Sequence, residues 1–188
     1  VVGLAFAEGK AHVSALLDDY VWVTAALLHA FQVTGETRYL ATARALMETA
    51  LRTLWDDAGG GFFDLRPDPT ALGPLQRPSK SIEDTSIPSP NAMAAIVLDQ
   101  LAALTNEPRY QQRAERLLEA FAGRTPEFGR FVAAYALAVD LHLHPPAHAV
   151  IIGPQSDART QALWGAVLGA FRPGKLVAVY DPALAKPT

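Results

Sequence analysis

A shift of 71 residues lays TGETRYLATARALME (Thr34 to Glu48) on TNEPRYQQRAERLLE (Thr105 to Glu119), with identical residues at seven of fifteen positions. An internal repeat of this kind limits the architecture to stacked copies of one supersecondary unit. In each copy an apolar segment leads through a short turn, TGET or TNEP, into a segment whose apolar positions recur every three or four residues. Tyr39, Ala43, Leu46 and Ala50 form one such series and Tyr110, Ala114, Leu117 and Phe121 the other. The unit is a helical hairpin. A tetratricopeptide array would return after about 34 residues, but that step from Tyr39 lands on Gly73, in a stretch rich in Gly and Pro.

The two helices of each hairpin differ. Val21 to Phe31 and Phe131 to Val139 are apolar nearly all round, which calls for cover on several sides, whereas Arg38 to Leu54 and Arg109 to Phe121 carry Arg and Glu along one face. The first kind is expected inside and the second outside. The spacing predicts hairpins at about 18–57 and 89–122 and a third inner helix over about 126–143, with Thr125 as cap and Pro126 at the first helical position. Long segments lead into the inner helices, so one rim should gather every long loop.

The same offset places Asp18, Asp19 and Tyr20 on Ser89, Pro90 and Asn91, each triplet opening an inner helix. Asp18 and Ser89 read as N-caps. Asp19 and Asn91 then fall in the first turn and point to a shared rim, where helix N-termini add positive potential. Between the hairpins, Asp56 to Asn91 holds three consecutive glycines and six prolines. A connection of this length is functional or unstructured in most proteins. GGGFFDL predicts a tight turn and a short strand with Phe62 and Phe63 on opposite sides; Lys80, Glu83 and Asp84 are expected to be solvated.

After Pro145 and Pro146 the pattern changes. AHAVIIG and KLVAVYD read as strands flanking a helix over Asp157 to Phe171, a β-α-β tail with parallel strands. The expected fold is mainly α, a partial α/α toroid at 1–145 with the β-α-β element at 146–188. His142, His144 and His148 read as a helix end and linker rather than a metal site, since Pro145 and Pro146 break their spacing. No cofactor fingerprint is present; one Gly-Pro turn before a helix is too little for a phosphate loop.

Composition narrows the partners. A net charge of -3 and the absence of any basic cluster argue against nucleic acid, and the absence of cysteine excludes thiolate chemistry within these residues. The most apolar stretches are shorter than the roughly 20 residues of a membrane span. Neither an initiating Met nor a secretory leader opens the sequence, so the chain reads as part of a longer, cytoplasmic protein.

The order of LLDDYVW, TGETRYL, LWDDAGGGFFD, RPSKSIEDTSIPSPN and AVIIG resembles the C-terminal part of the thioredoxin-domain proteins related to spermatogenesis-associated protein 20. The resemblance extends over most of the chain. It implies an N-terminal thioredoxin-like domain, outside this sequence, joined to an α/α toroid similar to N-acylglucosamine 2-epimerases and six-hairpin glycosidases. About two and a half of six hairpins are represented. The family pattern has Asp-Gly-Ala and Pro-Ser-Gly-Asn where this chain has Asp84-Thr85-Ser86 and Pro88-Ser89-Pro90-Asn91, so both glycines of the loop are lost.

Two function classes follow. In a carbohydrate-active toroid, Asp19 and Asp84 would transfer protons, Tyr20 and Phe62 would stack on a sugar, Asn91 would bind its hydroxyls, and His12 is the one histidine near the rim. The alternative is a non-catalytic structural or regulatory module that docks the thioredoxin-like domain, another protein or a second copy of the chain, with the rim carboxylates acting as caps.

Overall fold

The computed structural model describes residues 6–7, 10–11, 15–66 and 79–183. Two very short antiparallel strands, β1 (Phe6–Ala7) and β2 (Lys10–Ala11), precede two helical hairpins, α1 (Leu17–Thr34) with α2 (Thr37–Thr53) and α3 (Pro90–Thr105) with α4 (Pro108–Ala122). A single helix α5 (Ala133–Leu143) follows, and then β3 (His148–Ile152), α6 (Ala158–Gly169) and β4 (Leu176–Tyr180). The chain is mainly helical with a small β element, as its periodicities predict. No helix among the described residues is long and apolar enough to cross a membrane.

The apolar helices α1, α3 and α5 form one layer with α3 in the middle, and α2 and α4 pack outside it. Sequence explains the division. The outer helices bury one stripe each, Ala43, Met47 and Ala50 on α2 and Tyr110, Ala114, Leu117 and Phe121 on α4, a spacing that closes on one helical face. The repeat survives in three dimensions. Gly35 and Asn106, 71 residues apart, both end an inner helix in the left-handed region, with φ of 67° and 56°, the backbone state that terminates helices and that Gly and Asn tolerate. After each turn the same trio assembles. Arg38 pairs with Glu36 and lies 4.8 Å from the Tyr39 ring centre; Arg109 pairs with Glu107 and lies 4.6 Å from that of Tyr110. Tyr110 differs in being fully buried and donating to Glu48, so burial, reinforced by the carboxylate, pushes its phenol up to about 12.

The third inner helix begins later than its sequence suggests. Thr125–Glu127 and Gly129–Val132 form short 3₁₀ turns, and α5 starts only at Ala133. Gly129, at φ 53°, and Phe131, with non-helical torsions, interrupt the helical path that Thr125 and Pro126 would otherwise open.

In the tail, β3 and β4 are parallel, with His148 opposite Leu176 and Ile152 opposite Tyr180. Space at Gly153 is closed by Thr160, whose Oγ1 would lie 2.5 Å from any Cβ there; this glycine therefore lets the strand approach the following helix. The Lys175 ammonium donates to the carbonyls of Val167, Leu168 and Ala170, completing acceptors that the end of α6 leaves open. Gln32 of α1 joins the tail to the helical layer. Its side chain accepts from Val177 N at 2.9 Å, and its carbonyl accepts from Trp164 Nε1 at 2.9 Å.

Candidate functional site

The starts of α1, α3 and α5 are laced together by the connection between the hairpins. Its Gly-rich turn is built on Gly60 and Gly61, at φ 71° and 75°, and any Cβ on Gly61 would stand 2.9 Å from the Phe121 ring. The turn sets Phe62 opposite Trp55 in a lone antiparallel bridge, with the rings edge to face at 5.0 Å. Phe62 is fully buried, whereas Phe63 is partly exposed beneath the Lys80 ammonium at 5.4 Å. The inside-outside alternation is present, on a bridge rather than a strand.

Asn91 reads as a ligand group from sequence, yet its side chain is spent on main chain. Oδ1 accepts from Phe62 N at 2.8 Å, and Nδ2 donates to Phe62 O at 3.0 Å and to Ser81 O at 2.9 Å. Asn91 has no solvent exposure. Three bonds from one amide hold both arms of the loop against the first turn of α3, which starts with Ser89 as N-cap and Pro90 behind it.

Asp84 joins two helix starts. Its Oδ1 accepts from Ser89 N at 2.8 Å, its Oδ2 from Ala134 N at 2.9 Å, and its own N–H donates to Phe131 O. A carboxylate facing two helix N-termini is favoured by their partial positive charge and by charge-assisted hydrogen bonds. Asp84 and Lys80 are thus not solvated loop charges. Lys80 Nζ donates to Asp56 Oδ2 at 2.6 Å and to Gly60 O at 2.9 Å, and that ammonium holds the Asp56 carboxyl below its ordinary range. Glu83 is exposed.

At the start of α1 the two carboxylates exchange the roles that spacing suggests. The helix opens at Leu17 after Leu16, and Asp19 Oδ2 accepts from Leu16 N at 2.9 Å; Asp18 is not the N-cap. Leu17 N is engaged by Asp64 O at 2.9 Å, which fixes the entry two residues earlier than a cap at Asp18 would require. Asp18 Oδ1 is buried and makes no hydrogen bond among the described residues, and neither does Trp22 Nε1, although the indole lies near enough to offset part of the carboxylate's burden. Burial first, then the Asp64 and Asp19 charges, pushes the Asp18 carboxyl above its usual range.

Asp18→Asn should therefore raise the melting temperature at pH 7. A carboxyl held more tightly protonated in the folded than in the unfolded chain costs stability as pH rises from about 3.9 through its raised value, so the variant's advantage should vanish in acid. Thermal unfolding across that range measures it.

The structure thus brings Asp19, Asp84, Phe62 and Asn91 to one end of the molecule, through the Leu17–Asp64, Phe62–Asn91 and Asp84–Ala134 links. Tyr20 is almost wholly buried in the core rather than lining an open mouth, and Phe62 presents no face to solvent. His12 lies outside the described residues. Sequence reasoning overlooks a second pair, Asp99 on α3 and His142 on α5, with His142 Nδ1 3.0 and 3.1 Å from the two carboxylate oxygens. Only the inner position of both helices hints at their meeting.

By fold and site the chain is a mainly helical protein of two helical hairpins and a further inner helix, its inner helices tied at one end by a long polar-and-glycine connection and backed by a parallel β-α-β unit. No family model matches it. It is similar to spermatogenesis-associated protein 20 of Homo sapiens, 27% identical over 165 residues, and to that of Mus musculus, 28% identical over 172 residues. Each match covers 88% of this chain and 21% of the relative. The chain therefore spans about a fifth of the length of these relatives, and the similarity agrees with the family to which its motifs point.

Proposed function

We propose that this chain is a non-catalytic structural module whose open flanks pack against further protein. The observation that carries the reading is the unequal cover of three helices of like composition. α3, flanked by α1 and α5, buries residues all round, among them Ala94, Ala95, Ile96, Val97, Leu98 and Leu101. Among the described residues α1 and α5 are as apolar but have a neighbour in the layer on one side only. Val33 is 61% exposed on the first and Leu137 49% on the second, with Val23 and Leu143 beside them. Exposed apolar residues on helices otherwise suited to burial mark packing surfaces. A further helical hairpin, or the thioredoxin-like domain that the family resemblance implies, would supply the missing cover in a longer protein; in isolation a second copy of the chain would do so.

The mouth supports the same reading. A sugar-processing site needs carboxylates free to exchange protons and aromatic faces free to stack, whereas Asp84 holds two helix starts, Asp19 holds a third, and Phe62 is core.

The test is the state of association of the 188-residue chain. Sedimentation equilibrium should show reversible self-association that V33E combined with L137E reduces by about tenfold or more in affinity, since each substitution places a charge in an apolar contact. A monomer at all concentrations, unchanged by the substitutions, would count against open packing flanks.

A further inference from the structure

The two edges of the small parallel sheet are treated differently. β4 lies against α1 and α3, and its outward Val177 N–H is taken by Gln32 Oε1 at 2.9 Å. Beyond β3 there is no further strand among the described residues. Gly153 N donates to Tyr180 O and Leu176 N donates to Ala147 O, each at 3.0 Å, so Ala147, Ala149, Ile151 and Gly153 turn their main-chain groups towards β4. Strand alternation then turns those of His148, Val150 and Ile152 outward. Among the described residues nothing pairs with them there.

The same three residues share a sheet face that the helices cover only in part. On β4 this face is core, with Leu176 and Ala178 buried. Beside them on β3, Val150 is 49% and Ile152 73% exposed. Strand edges that stay in solvent are blunted by lysine, proline or a bulge. The β3 sequence HAVII has no acidic residue, lysine, arginine or proline, and its register with β4 is unbroken.

We propose that β3 pairs with β3 of a second copy of the chain, antiparallel about a two-fold axis through Val150, to make a four-stranded sheet. In this register Val150 faces its own equivalent and His148 faces Ile152, all as hydrogen-bonded pairs, because these are the residues whose main-chain groups point outward. Each outward N–H therefore meets an outward carbonyl, alike on both copies, as a two-fold interface requires. No like charges meet, since His148, the one titratable side chain of the strand, lies opposite an isoleucine. The exposed Val150 and Ile152 of both copies come together on one face and shield each other. The order β4-β3-β3-β4 leaves only β4 at its margins, where α1 already stands, so growth stops at two copies. Two five-residue edges bury much less than the roughly 1,600 Å² of a stable complex, which makes this a weak dimer with a Kd on the order of 0.1–1 mM. It uses a surface separate from the α1 and α5 flanks and does not depend on what covers them.

Amide exchange read by NMR at about 20 μM and about 1 mM protein tests the pairing. At the lower concentration the N–H groups of His148, Val150 and Ile152 should exchange fast while those of Ala149 and Ile151, bonded to β4, are protected. At the higher one the three outward amides should slow about two- to fivefold, as that Kd demands. Val150→Pro removes only an outward N–H, a change that edge strands tolerate, and should abolish the slowing at His148 and Ile152. Val150→Lys, which sets two ammonium groups against each other across the axis, should do the same and serves if the proline variant does not fold. Exchange independent of concentration, or slowing that survives the substitution at Val150, would overturn the proposal. The outcome is distinct from that of the flanks: association removed by V33E with L137E, with the β3 amides unaffected by concentration, refutes this dimer alone, whereas β3 slowing that persists in that double variant supports it.

Discussion

Asn91→Ala should lower the free energy of unfolding by about 3–5 kcal/mol, the largest effect expected of any polar substitution in this chain. The amide makes three hydrogen bonds, two to Phe62 and one to Ser81, in a place with no access to water. Removing it strands the Phe62 N–H and carbonyl and the Ser81 carbonyl, and each buried main-chain group left unpaired costs about 1–3 kcal/mol, reduced where the loop can relax. Urea unfolding should show the change as a lower midpoint. A residue whose main purpose is to meet a ligand behaves otherwise: its loss leaves the midpoint where it was, or raises it.

Asp84→Ala should cost about 2–4 kcal/mol, since the carboxylate caps α5 and also holds the N-cap residue of α3, and each such contact is worth about 0.5–2 kcal/mol with charge assistance at the upper end. The conservative change separates the two bonds. In Asp84→Asn a single carbonyl oxygen remains, able to accept well from Ser89 N or Ala134 N but not from both in the present geometry, so it should fall between alanine and the parent chain. Loss of α5 anchoring should also expose Val132 and Tyr135, now buried, and raise exchange at the start of that helix before the rest of the layer is affected.

These two residues show what a single sequence can and cannot disclose. The repeat, the division into inner and outer helices and the parallel tail are all visible as sequence patterns, because each depends on local pattern: a continuous apolar run in AVII, three-and-four spacing from Tyr110 to Phe121. Gly35 and Asn106 occupy equivalent positions for the same local reason. The gathering of helix starts follows from loop lengths alone. The use made of each side chain there does not. Asn91 meets Phe62 across 29 residues of sequence and Asp84 meets Ala134 across 50, and nothing in the neighbourhood of either residue announces its partner. Asp18 and Asp19 are interchangeable as caps on paper; Asp64, 47 positions beyond Leu17, decides between them by engaging its N–H. The delayed start of α5 has the same origin, since Thr125-Pro126 is a sound helix opening that Gly129 and Phe131 then interrupt. The Asp99–His142 pair was hidden for a further reason: His142 sits beside His144 near two prolines, where a histidine is readily explained by the helix end itself.

Amide exchange at Phe62 tests the lacing of the helix starts most directly. Among the described residues its N–H is bound only through the Asn91 side chain, so in the parent chain it should exchange as slowly as the core of α3, and in Asn91→Ala it should be among the first to lose protection. Fast exchange of the Phe62 N–H in the parent protein, with the α3 amides still protected, would mean that Asn91 is free to face a ligand and that the loop does not bind the helices together.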